Sequence, residues 1–170
     1  MSSSHSYPIG TPGQKWSDKE KAAWLEQVTI KRSYLDEVVI KLTPLGERFD
    51  LLKYGALSYD SDKYPLFALK TRNWDSNKPT VLITGGVHGY ETSGVHGAIQ
   101  FVATEAENYS DTFNIIVAPC VSPWGYETIN RWNPNAVDPN RSFYENSPSE
   151  ESSGLMQLVA SLNVDILAHI

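Results

Sequence analysis

Three short apolar runs without polar alternation constrain this chain most: Thr80-Val-Leu-Ile-Thr84, Asn114-Ile-Ile-Val-Ala118 and Val164-Asp-Ile-Leu-Ala-His-Ile170. Runs of this kind suit strands covered on both faces, the environment of a parallel sheet. Helical patterns separate them. Thr92 to Glu105 would turn Val95, Ile99 and Val102 inward, and Glu150 to Leu162 would do the same with Leu155, Leu158 and Val159. Strands alternating with helices indicate an α/β fold, a mainly parallel mixed central sheet flanked by helices. Further strands are predicted over Phe49 to Tyr54 and Leu66 to Thr71, with a turn-like SYDSDKY between them. Ser17-Asp-Lys-Glu20 is a capping-box pattern and predicts a helix start. Tyr34 to Leu42 reads equally as helix or strand because Val38, Val39 and Ile40 suit either. Pro119 to Pro148 reads as a long polar loop.

With 170 residues, 41% of them hydrophobic and 20% charged, the chain is long and apolar enough for one domain with a real core. Residues 1–15, rich in Ser, Gly and Pro, read as a flexible arm, and 16–170 as a single α/β domain. The last predicted strand reaches Ile170 without a polar cap. The expectation is therefore that this is the N-terminal portion of a longer catalytic domain. The net charge of −6 gives no footprint for nucleic acid or an anionic membrane. No apolar run approaches the roughly 20 residues that span a bilayer. The N-terminus lacks a signal-peptide pattern, and the lone Cys120 cannot form an internal disulfide. A cytoplasmic protein is the expectation.

Two segments carry candidate chemistry. The first is Gly85-Gly-Val-His88-Gly-Tyr-Glu91, just past a predicted strand, where ligand sites of open α/β sheets lie. His88 and Glu91 stand three apart, so one turn can aim both at a point, and a histidine nitrogen with a carboxylate oxygen suits zinc. The spacing alone arises by chance in about one such chain in four; a surface His–Glu pair at a helix start is the plain alternative. A phosphate loop is excluded in detail, since neither Gly-Lys-Ser/Thr nor G-x-G-x-x-G is present.

The second segment is Arg131-Trp-Asn-Pro-Asn-Ala-Val-Asp138-Pro-Asn140-Arg141-Ser-Phe143. Arginine grips a carboxylate with a two-pronged fork, and asparagine adds directed hydrogen bonds. In an acidic chain this cluster suggests the anionic end of a substrate. The alternative is a solvated loop of turn formers with Asp138 paired to an arginine. Trp124, Tyr126 and Trp132 flank the cluster and read as loop packing. His96 reads as a packing or surface residue, His5 as part of the arm, and Cys120 as a small buried hydrophobe.

In this order the two motifs resemble the zinc metallocarboxypeptidases, the M14-like family of carboxypeptidase A and B type, with succinylglutamate desuccinylase and aspartoacylase as distant relatives. The resemblance covers roughly Thr80 to Ile170. It implies zinc as cofactor, with His88 and Glu91 as two of three ligands. It implies that Arg131 polarises the scissile carbonyl and that Asn140 and Arg141 hold the substrate's terminal carboxylate. The chain departs from the family in having Ser122-Pro-Trp-Gly125 where Asn-Pro-Asp-Gly is usual, and Pro139 where leucine is common. The family's third ligand is expected just beyond Ile170 rather than at His169, which reads instead as a histidine facing the sheet or its neighbour. The expected partner is a peptide or an N-acyl amino acid with a free carboxylate. The expected activity is metallocarboxypeptidase hydrolysis; the alternatives are an amidohydrolase of N-acyl amino acids and a non-catalytic carboxylate-binding fragment.

Overall fold

The computed structural model describes residues 8–170; residues 1–7 of the expected arm, His5 among them, lie outside these. Residues 8–15 form bends and turns. Helix α1 spans Asp18–Leu25, and its capping box is formed: the Ser17 amide donates to Glu20 Oε2 at 2.8 Å. The ambiguous stretch is helical, a π-turn at Leu35–Val39 running into the short α2, Ile40–Leu42. Val38 and Leu42 enter the core while Leu35 and Ile40 stay exposed, a one-sided pattern that suits a helix better than a strand.

Five strands follow: β1 (Asp50–Ala56), β2 (Pro65–Lys70), β3 (Thr80–Thr84), β4 (Asn114–Ala118) and β5 (Ile166–His169), interleaved with α3 (Thr92–Thr104), α4 (Pro123–Thr128) and α5 (Glu150–Ala160). The sheet order is β1-β2-β4-β3-β5. The pairs β4–β3 and β3–β5 are parallel, and β1–β2 and β2–β4 antiparallel. The sheet is mixed, and its parallel half comes from the three apolar runs.

Strand β4 shows why those runs lack alternation. Every one of its residues is buried. Ile115 and Val117 pack with Val95, Ala98, Ile99 and Val102 of α3 on one face. Ile116 and Ala118 pack with Leu82, Leu155 and Leu158 on the other, under α5. Each fully buried aliphatic side chain contributes about 1.5–3 kcal/mol. Strand β5 behaves differently, with Ile166 and Leu167 about half exposed. Among the described residues it is an edge strand with β3 as its one neighbour, so apolar composition does not bring burial.

The expected polar loop from Pro119 to Pro148 is corrected. It contains α4, all six residues of which are buried, and a 3-10 turn at Pro139–Arg141. Proline at the first helical turn needs no amide partner, so the segment that looks like a loop folds as a helix. Among the described residues no helix is long and apolar enough to cross a membrane.

Candidate metal centre

Strands β3, β4 and β5 run parallel, so Thr84, Ala118 and His169 end at one edge of the sheet. The first motif leaves β3 there. Backbone pairing continues past the strands, with Gly85 N–H to the Ala118 carbonyl at 3.0 Å and Ser122 N–H to the Gly86 carbonyl at 3.0 Å. Gly86 has φ +58°, and a Cβ there would lie 2.5 Å from Val95 Cγ2, so the turn onto α3 needs glycine. Gly89 lies against α4, where a Cβ would overlap the backbone of Gly125 and Tyr126. Ser122 Oγ donates to the Val87 carbonyl at 2.6 Å.

The loop places His88, 4% exposed, beside Glu91. His88 Nδ1 is 2.9 Å from Glu91 Oε1, and His88 Nε2 is 2.9 Å from Asp138 Oδ1. The two motifs therefore meet on one imidazole ring. Tyr90 stacks on that ring with an interplanar angle of 3°. Asp138 Oδ2 accepts from Arg131 Nε at 3.0 Å, and Arg131 Nη1 donates to the Tyr90 hydroxyl at 3.2 Å. Partial burial pushes the Asp138 carboxyl upward, but the bonds from His88 and Arg131 together outweigh it and hold the group below the usual carboxylate range. Asp138 is thus more than an arginine's partner in a solvated loop. Its place as the eighth residue of the long motif was visible in the sequence; its bond to His88 was not.

The arginine loop is held from below. Buried Asn133 accepts from the amides of Asn135 and Val137 at 3.1 Å each, and its Nδ2 donates to buried Glu151 at 3.1 Å. Asn133 therefore serves the loop rather than a ligand. Asp138 caps the turn, its Oδ1 accepting from the Asn140 amide at 2.9 Å, and Asn140 lines a cleft of about 260 Å³ with Val87, Glu91, His169 and Ile170. Arg141 is exposed on the same turn, its Nη1 donating to the Asn140 carbonyl at 3.3 Å. Trp132 and Trp124 pack on Trp24 of α1, at 5.8 and 6.1 Å between ring centroids. His96 bonds to the Tyr126 hydroxyl at 3.0 Å, and Cys120 is buried.

The donor set fits a cation. A neutral imidazole carries one N–H, yet both His88 nitrogens face carboxylate oxygens. With Nε2–H donated to Asp138, the Nδ1 lone pair and Glu91 converge on one point, where a metal satisfies both. A carboxylate behind a histidine is the usual way such a ligand is oriented. His169 Nδ1 is bonded to Thr84 Oγ1, its register partner on β3, although the residue borders the same cleft. Among the described residues no group of three His, Cys, Asp or Glu side chains is arranged to hold a metal, so His88 and Glu91 form a pair and not a complete site.

Residues 46–157, more than half of the chain, match the zinc carboxypeptidase family, peptidase M14. The chain belongs to the zinc carboxypeptidase family. Similar solved structures include a candidate metallopeptidase of Shewanella denitrificans, at 24% identity and TM-score 0.68 over 79% of this chain and 52% of that one. A candidate metallopeptidase of Shewanella amazonensis is 25% identical, with TM-score 0.67 over 81% of this chain and 57% of that one. A metallo-carboxypeptidase of Burkholderia cenocepacia is 16% identical, with TM-score 0.64 over 77% and 39%. The chain thus spans about half the length of the Shewanella proteins. No curated protein matches the sequence. Both segments singled out in the sequence lie inside the matched span and on the side of the sheet where β3 and β4 end.

Proposed function

We propose that this chain supplies the metal pair, the carbonyl-polarising arginine and the carboxylate clamp of a zinc-dependent metallocarboxypeptidase that cleaves the C-terminal peptide bond. The observation that carries the reading is the single imidazole of His88 held between Glu91 and Asp138, with Arg131 on the far oxygen of Asp138.

When bound, zinc supplies a Lewis acid for the carbonyl and an activated water. His88 Nδ1 and Glu91 would hold it. Asp138 keeps the His88 proton on Nε2, which leaves Nδ1 free to ligate. The same carboxylate orients Arg131, whose side chain remains 41% exposed toward solvent. A guanidinium fixed in this way can stabilise negative charge developing on the substrate carbonyl oxygen. Asn140, on the cleft wall beside Glu91, and Arg141, next along the turn, would bind the terminal carboxylate and fix the scissile bond near the metal. The family match supports peptidase chemistry over the deacylase alternative.

The test combines metal and substrate. The protein carrying this chain should hold zinc that is lost in His88→Ala and Glu91→Ala. Peptides with a free C-terminus should be cleaved and their amidated counterparts spared. Equal cleavage of amidated peptides would overturn the clamp assignment; cleavage of N-acyl amino acids alone would support the deacylase.

A further inference from the structure

Residues 31–34 lie outside the matched span of 46–157 and carry no motif, but they reach both sides of the site. The Lys31 and Arg32 amides donate to the Glu127 carbonyl at 2.8 and 3.3 Å. The half-buried Arg32 guanidinium then joins three elements. Its Nε donates to the Tyr126 carbonyl at 2.7 Å, Nη1 to Thr92 Oγ1 at 2.8 Å, and Nη2 to the Gly89 carbonyl at 3.3 Å. Its carbon lies 3.5 Å above the centre of the Tyr126 ring.

Gly89 follows His88 and precedes Tyr90 and Glu91. A glycine does little to restrict its own backbone, and rotation of the Gly89–Tyr90 peptide would swing Glu91 away from His88. The loop is therefore fixed from outside. The α4 backbone limits it sterically at Gly89, and Arg32 holds its carbonyl while anchoring on α4 and on the first residue of α3. The fork geometry is required: three acceptors in three directions suit a guanidinium and not a single ammonium.

We propose that Arg32 is a positioning residue for the metal pair, fixing the peptide between His88 and Glu91 so that their ligating atoms converge. The inference rests on the reading of His88 and Glu91 as zinc ligands. Arg32 does not touch the metal, and its effect passes through the Gly89 carbonyl.

The experiment measures zinc affinity by chelator competition, the visible spectrum of the Co²⁺-loaded protein, and Tm, for wild type, Arg32→Ala and Arg32→Lys. Arg48→Lys is the control, since Arg48 braces Glu107 and Ala103 away from the site. Arg32→Lys should stay folded and lose at least about tenfold in zinc affinity, the scale of lost metal-site support, with altered Co²⁺ bands. Arg32→Ala should lose at least as much, and Arg48→Lys should bind as wild type does. Wild-type binding with Arg32→Lys within twofold of it would overturn the inference alone. An equal loss in Arg48→Lys, or unfolding of both Arg32 variants, would also overturn it, by showing a general brace. A wild type that holds no zinc would overturn the ligand reading and this inference together.

Discussion

The two loops that build the site solve the same problem by different means. The loop after β3 is short and is shaped by what its residues lack. Glycines at 85, 86 and 89 let its backbone pass against α3, the Pro119–Cys120 segment after β4, and α4 without a Cβ in the way. The loop after β4 is long and is shaped by buried side chains. Glu127 and Glu151, each 1% exposed, hold it from within the fold. Glu127 accepts from the Tyr34 amide at 2.8 Å, the Tyr64 hydroxyl at 2.9 Å and Lys63 at 2.6 Å. Glu151 accepts from the Tyr59 hydroxyl at 2.7 Å, Ser149 and Asn133. Shape by omission tolerates almost no added atom, whereas shape by carboxylates depends on distant partners.

The largest expected effect breaks the first loop. Gly89→Ala inserts a methyl into the backbone of α4, and overpacking of this kind costs about 3 kcal/mol or more where backbone cannot move aside. Chemical denaturation should show that loss, together with loss of zinc. The second loop is broken more gently. Glu151→Ala removes the acceptor of three donors, at about 2 kcal/mol for buried groups left unpaired. Denaturation should report it, and Glu151→Gln should recover part of it. Because Asn133 is then released, Arg131 should lose substrate turnover more than the protein loses zinc; equal losses would contradict the division between the loops. The smallest effect is on Cys120, between the two loops. Burial is the main cause that pushes its thiol well above the usual range. Alkylation should therefore be negligible in the native protein and fast in denaturant, and fast native labelling would show that the loops part from one another.

The same contrast explains what could be read in the sequence. The apolar runs that became β3 and β4, and the periodicity of α3 and α5, are local signals, and they bring the candidate segments to one edge of the sheet. The glycine loop was legible because its glycines and its His–Glu spacing are contiguous. The arginine motif was legible as a string but not as a geometry. Asp138 meets His88 across 50 residues, and Glu127 meets Tyr34 across 93. No local pattern marks such partners. Helix α4 was hidden because Pro-Trp-Gly-Tyr-Glu-Thr has the composition of a loop, and burial against Trp24 and Tyr34 stabilises it as a helix. Arg32 was hidden for the same reason: it sits in an unpatterned stretch and acts on residues 57 to 94 positions away.

The two outer strands carry a consequence of their own. Strand β1 is irregular, its register against β2 shifting between Lys53 and Gly55, and a bulge of that kind spoils an edge as a template for another chain. Strand β5 has no such irregularity, and Ile166, Leu167 and Ile170 are each about half exposed beside it. The β1 rim of the described sheet thus carries its own obstacle to pairing with another chain, and a substitution that restored its regular register would remove that obstacle.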